Sequence, residues 1–217
     1  MPLRRVAIYG GTFDPVHNGH LAVARKVVEL FELDELVFVP ACVPPHKRNA
    51  SITSAFHRFA MLALATEPDQ RLLISTVELD SPDRPYAVDT VARMQSESRQ
   101  LFFVIGADSW AEITTWHEWE RLLGMCDLIV VTRPHYPLAE PPAEAEVVDV
   151  RGLAPDAIRE LDGRERGPRV FISDAVMMDV SATRIREAAR VHETALLRTM
   201  VPPAVAEHIE KYKLYGN

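Results

Sequence analysis

Cysteine is nearly missing from this 217-residue chain: Cys42 and Cys126 are all it has. Each stands beside a stretch of strand character. That suits two free thiols in a reducing cytoplasm and argues against a disulfide scaffold or a cysteine-ligated metal. An excess of positive charge is missing as well. Lys and Arg number 24 against 31 Asp and Glu, a formal net charge of -7, which speaks against a general nucleic-acid or anionic-membrane surface. Any anionic substrate must then be held by local groups. No apolar run approaches bilayer-spanning length. The start "MPLRRVAIYGG" lacks the apolar segment and small-residue cleavage site of a secretory signal. A cytoplasmic protein with neither membrane nor nucleic-acid partners is expected. Two phosphate-binding fingerprints, G-x-x-x-x-G-K-[ST] and G-x-G-x-x-G, are also absent as written.

What is present reads as one globular unit. The chain is 47% hydrophobic and 25% charged, enough for one sizeable core and short for two, so residues 1–217 form a single expected domain. Six apolar runs have strand length: "RVAIYG", "ELVFVPA", "LLISTVEL", "LFFVIGA", "DLIVVTR" and "RVFISDA". Their nearly continuous apolar character suits strands buried on both faces. Between them lie helical stretches. "HLAVARKVVELFEL" puts Leu21, Ala24, Val28 and Phe31 on one stripe, "SAFHRFAMLALAT" does so with Phe56, Phe59, Ala60 and Ala63, and "AVDTVARMQSE" follows. The alternation predicts an α/β fold, a doubly wound, Rossmann-like parallel sheet with helices on both faces. Residues 43–51, 135–146 and 162–169 read as loops. In such a sheet ligands bind beyond the carboxyl ends of the strands.

The first of those ends carries "YGGTFDPVHNGH", Tyr9 to His20. Gly10 and Gly11 present bare backbone at the end of the strand, and Gly19 and His20 open the following helix, where unpaired N–H groups and the positive dipole end point. A phosphate there would meet backbone donors, with His17 and His20 able to add more. The alternative is a loop histidine at 17 and a capping or core histidine at 20. A second helix start carries a complementary signal. In "MDVSATRIREAAR", Ser181 takes an N-cap position, Thr183 lies in the first turn, and Arg184 and Arg186 follow, so hydroxyls, free N–H groups and guanidinium converge. An ordinary capped surface helix is the alternative.

Taken together, "GGTFDPVHNGH" and "VSATRIR" resemble the H-x-G-H and S-x-T-x-[IL]-R signatures of the nucleotidyltransferase superfamily, and most closely the bacterial nicotinate-nucleotide adenylyltransferases. The resemblance spans almost the whole chain. "PPHK", "IGADSW", "TTWHEW" and "VVTRP" have counterparts at similar spacing, and His17 stands where phosphopantetheine adenylyltransferases typically carry Thr. Two departures stand out: Ala182 removes one hydroxyl from the second signature, and Ala87 in "RPYAVDT" occupies a place where Thr is common.

The resemblance implies a nucleotidyltransferase fold and adenylyl transfer from ATP to nicotinate mononucleotide. It assigns His17, His20 and Arg186 to catalysis. Gly10, Gly11, Thr12, Phe13, His17, Gly19, His20, Gly106, Asp108, Ser181, Thr183 and Arg186 would bind ATP. His46, Lys47, Ala87, Trp116 and Arg133 would bind the mononucleotide, with Trp116 stacking on the pyridine ring. Trp110 and Trp119 are left as structural. Mg²⁺ is implied as cofactor, held by ATP phosphates and water, with no protein metal ligands. Other acceptors (nicotinamide mononucleotide, phosphopantetheine), a non-catalytic nucleotide-binding module and a class I tRNA synthetase fragment are the competing readings. The last lacks room for a tRNA surface. Whether copies associate into a homo-oligomer is left open.

Overall fold

Seven strands form one sheet in the order β3-β2-β1-β4-β5-β7-β6, every neighbouring pair parallel. The computed structural model describes residues 3–42, 52–81, 85–132, 142, 145–161, 167–175, 178 and 180–216. Along the chain these form β1 (Arg4–Gly11), α1 (Asn18–Leu30), β2 (Glu35–Pro40), α2 (Ala55–Thr66), β3 (Leu72–Ile74), α3 (Ala87–Met94) and β4 (Arg99–Gly106). There follow α4 (Ala107–Ala111), a 3₁₀ turn (Ile113–Thr115), α5 (Trp119–Met125), β5 (Asp127–Val131), β6 (Val147–Asp149), α6 (Pro155–Leu161) and β7 (Val170–Ser173). Three helices complete the described chain: α7 (Ala182–Arg190), α8 (Thr194–Met200) and α9 (Pro203–Lys211).

The strands read as continuous apolar runs because both sheet faces are covered. Alternation along each strand divides the core in two. Ala7, Phe38, Phe102, Ile129 and Phe171 face one side and pack with α1, α2 and α6 to α9 through residues such as Val27, Met61, Ile158, Ile185, Leu197 and Val205. Ile8, Val37, Phe103, Val130 and Ile172 face the other, against Val88 and Val91 of α3, Trp110 of α4 and Leu122 of α5. The chain winds outward from β1 through β2 to β3, then returns to lay β4 on the other flank of β1. The strand order therefore reverses between β1 and β4, and a crevice opens there beyond the strand ends.

Several expectations need correcting. β3 ends at Ile74: Ser75 N–H makes the closing ladder bond to the Phe38 carbonyl and the chain then turns, Asp80 N–H reaching the Thr76 carbonyl. β6, in a region read without a strand, adds a parallel edge to β7. On α2 the buried stripe is Arg58, Met61, Leu62, Ala65 and Thr66, while Phe56 is 87% exposed. The helix is turned so that the Arg58 guanidinium, rather than Phe56, enters the interior. On α1 all four stripe residues are buried as expected. Trp110 is core, and the two cysteines are free thiols. Among the described residues no helix is long and apolar enough to cross a membrane.

Candidate active site

The loop from β1 to α1 delivers both histidines to one helix start. His17 is the N-cap of α1, with extended backbone (φ -146°, ψ 169°). Its Nδ1 accepts from His20 N–H at 3.4 Å, and His20 Nδ1 accepts from His17 N–H at 3.3 Å. The two rings stack, centroids 3.6 Å apart and planes 21° from parallel. The capping alternative thus holds for both rings at once, and it has a chemical consequence. A nitrogen that accepts from a backbone N–H carries no proton, so each neutral imidazole keeps its proton on Nε2 as a donor. Burial lowers His17 to about pKa 4. Burial, then the proximity of His17, holds His20 well below the ordinary histidine range. The helix itself gives no partner to the N–H groups of Asn18 and Gly19, which are left open among the described residues.

Gly19 has a packing reason. A Cβ there would sit 3.1 Å from His17 Nδ1 and 3.2 Å from its Cε1. Gly11 has another reason than the expected close approach of a polyanion: a Cβ would meet the end of the Phe13 ring at 2.8 Å. Phe13 itself is buried, in a left-handed conformation (φ 48°), and offers its ring to His20 edge-on at 5.1 Å, with Tyr9 and Phe38 beside it. Its side chain is a brace for His20. Gly106 has open space around it at the end of β4.

The second helix start lies against the first. The Met178 carbonyl, just before α7, comes within 3.9 Å of where a Gly19 Cβ would be. The Ser181 hydroxyl accepts from Arg184 N–H at 3.3 Å, capping α7, and keeps its proton to donate. Arg186 donates to the Asp14 carbonyl at 2.8 Å and to Thr183 Oγ1 at 3.2 Å. These contacts fix its guanidinium between the two loops. Ala182 and Thr183 supply the open N–H groups of this helix start.

The other expected residues divide by sheet face. Gly106 and Asp108 sit at the end of β4 and the start of α4, across the switch point from β1. Ala87 begins α3, and Trp116 packs edge-on against Phe103 of β4 (6.4 Å); both lean on the second core face, away from the histidine pair. Tyr86 and His117 stack beside them at 4.2 Å. His46, Lys47 and Arg133 lie outside the described residues.

Sequence reading missed Arg58. Buried at 1% exposure, it donates to the carbonyls of Thr12 (2.7 Å), Cys42 (3.0 Å) and Thr53 (3.0 Å). One guanidinium thereby ties the loop after β1, the end of β2 and the entry to α2. A signal was there: Arg58 shares the 58-61-62-65 stripe with Met61, Leu62 and Ala65, an arginine on an apolar face.

A family described as Cytidylyltransferase-like matches residues 8–188. Full-length relatives agree. Proteins of Desulfatibacillum aliphaticivorans (35% identical, covering 97% of this chain and 99% of that protein) and Thermoanaerobacter sp. strain X514 (36%, 97% and 94%) are both named "Probable nicotinate-nucleotide adenylyltransferase". The chain belongs to the nicotinate-nucleotide adenylyltransferase family. Its fold is also that of the nicotinic acid mononucleotide adenylyltransferase of Plasmodium falciparum solved with APC: TM-score 0.71, 19% identity, 98% of this chain and 97% of that one. In this adenylyltransferase-family chain, Arg186 is joined through the Asp14 carbonyl to the loop that carries the histidine pair, and β4, which ends at Gly106, pairs with β1 before that loop.

The imidazole pair makes the empty protein sensitive to acid. An unfolded histidine titrates near 6.5 and folded His17 near about 4. Between those values the unfolded chain binds more protons, so stability is full above pH 6.5 and is lost as pH falls toward 4, by on the order of 3 kcal/mol for His17. Thermal midpoints of the ligand-free protein from pH 7.5 to 4.5 are expected to fall more steeply for wild type than for His17→Asn. Parallel slopes would remove His17 from this role.

Proposed function

We propose that the chain transfers the adenylyl group of ATP to nicotinate mononucleotide, yielding nicotinate adenine dinucleotide and pyrophosphate in NAD biosynthesis. The observation that carries this reading is the union, at one switch point, of two helix starts, a stacked neutral histidine pair and an Arg186 anchored by the Asp14 carbonyl. In the reaction, a phosphate oxygen of the mononucleotide forms a bond to the α-phosphorus. The bond from that phosphorus to the bridging oxygen breaks, and the electron pair leaves on pyrophosphate. A phosphate monoester has its second pKa near ~6, so the nucleophile is already mostly dianionic at neutral pH and no general base is needed. What the protein supplies is placement and charge neutralisation.

In this reading the Nε2–H groups of His17 and His20 donate to the α-phosphoryl and the leaving group, and the incoming negative charge raises their low pKa values. Arg186, the open N–H groups of Ala182 and Thr183, and the Ser181 hydroxyl proton grip the outer phosphates. Gly106 and Asp108 serve the adenosine, and Ala87 and Trp116 the mononucleotide. Mg²⁺ would neutralise phosphate charge. Its donors would be phosphate oxygens and water, the ligands this hard cation ordinarily keeps in nucleotide sites. We place the reaction in the cytoplasm, where free thiols such as Cys42 and Cys126 stay reduced.

Pyrophosphate release with ATP, Mg²⁺ and a panel of nicotinate mononucleotide, nicotinamide mononucleotide and phosphopantetheine tests the reading. The acid is expected to exceed its amide by more than about tenfold in kcat/KM, because the open backbone donors at the start of α3 match an acceptor-only carboxylate and oppose an amide NH₂. Ala87 removes a hydroxyl from that place but leaves those donors. A ratio near unity, or a preference for phosphopantetheine, would overturn the choice of acceptor.

A further inference from the structure

Asp14, in the loop between β1 and α1, is 6% exposed and fully engaged. One carboxylate oxygen accepts Thr53 N–H at 3.2 Å, and the other accepts the Tyr215 hydroxyl at 2.8 Å. Its backbone carbonyl accepts from Arg186. Among the described residues, that carbonyl is the hydrogen bond tying Arg186 to the histidine loop, the other bond (to Thr183) lying within α7. Tyr215 comes from the segment after α9, 201 positions from Asp14 and beyond the residues the family match covers. Its ring packs on the first core face, and its backbone is left-handed (φ 66°), a conformation that persists in a side-chain-bearing residue only when its surroundings enforce it. Burial and the Asp14 charge hold the phenol above its ordinary range, so it keeps its proton and donates.

We propose that Tyr215 is a positioning residue for adenylyl transfer: its hydroxyl fixes Asp14, and through the Asp14 carbonyl it sets the guanidinium of Arg186 that receives the outer phosphates of ATP. The proposal rests on the placement of Arg186 given above. Tyr215 touches no reacting atom. Its hydroxyl meets the Asp14 carboxylate and Thr53, itself a partner of that carboxylate, and lies within electrostatic reach of Arg186, so its influence falls on the Arg186 side of the site and on one substrate. A residue that merely braced the core would alter stability and leave the balance between substrates where it was.

Tyr215→Phe removes the hydroxyl and keeps the ring. It is expected to raise KM for ATP about five- to tenfold, the scale of one ordinary hydrogen bond lost, while KM for nicotinate mononucleotide stays within about twofold. Calorimetric titration with ATP alone, without acceptor, is expected to show the same loss. Tyr212→Phe, half-exposed on the other side of the tail beside His57 and His208, is the control and leaves both constants unchanged. Combined with Arg186→Ala, Tyr215→Phe is expected to add little to the ATP defect, since both act on one contact. Unchanged ATP affinity, or equal rises in both KM values, overturns the proposal. Should the wild type bind ATP without transferring adenylyl, the calorimetric comparison still decides the role of Tyr215 while the reaction assignment alone falls.

Discussion

Replacing His20 by alanine is expected to lower kcat by roughly two to four powers of ten, the cost of losing one preorganised donor aimed at developing charge. His20 stands at the third position of α1 with Nδ1 occupied by a backbone N–H, stacked on His17 and braced edge-on by Phe13 and Tyr9. So oriented and stripped of alternative protonation, its Nε2–H needs no rearrangement when negative charge builds on the α-phosphoryl group. The fold should survive. The ring is not fully enclosed, and losing half of a reciprocal cap costs about 1 kcal/mol. Steady-state rates with saturating ATP and acceptor, beside a thermal melt, check this. Turnover within about threefold of wild type at unchanged stability would take His20 out of the chemistry.

Arg58→Met should be the most damaging change to the fold, costing about 3–5 kcal/mol. The methionine would fill much of the volume, but the carbonyls of Thr12, Cys42 and Thr53 would lose their donor, and the buried Asp14 carboxylate would lose a compensating charge. Burial lowers the Arg58 pKa and Asp14 raises it again; the guanidinium stays charged because its surroundings are carbonyl oxygens and a carboxylate. For a chain of this size the loss corresponds to roughly 6–20 °C in thermal midpoint. Arg58→Lys should fall between, since a point-like ammonium cannot span three carbonyls arranged for a planar fork. Urea unfolding measures it, and a loss below about 1 kcal/mol would mean that water replaces the guanidinium freely. Cys42 and Thr53 also bracket residues 43–51, where His46 and Lys47 lie, so activity toward the mononucleotide should suffer even where the fold holds.

The alternating pattern of apolar strands and amphipathic helices was legible because β1, β2, β4 and β5 are buried on both sides. The two helix starts were legible because capping and phosphate binding both require residues at fixed local spacing, as His17 to His20 and Ser181 to Arg184 show. What escaped had non-local causes. Arg58 is buried against carbonyls up to 46 positions away, partners that its place on the 58-61-62-65 stripe could not name. The partner of Tyr215 is in the first loop. β6 is three residues long in a Pro- and Glu-rich span and pairs only on one side, too brief to register as an alternating run. The role of Gly11 was legible as a need for smallness but not as room for Phe13, whose left-handed turn folds its ring back over the strand.

One missing methyl group decides where two protons sit. The bare Cα of Gly19 lets the His17 ring lie flat over the first turn of α1; a side chain there would already press on Nδ1 and Cε1 at contacts tighter than ordinary packing allows. Only in that pose can Nδ1 of His17 face the His20 N–H while Nδ1 of His20 faces the His17 N–H. The tautomer of each ring is set by the backbone N–H that it accepts, and the bare Cα of Gly19 leaves the His17 ring the room to lie where it accepts one. The glycine of this signature therefore acts on the imidazoles as a template acts on a casting: it writes the same handed pattern of donor and acceptor into both rings before any nucleotide arrives.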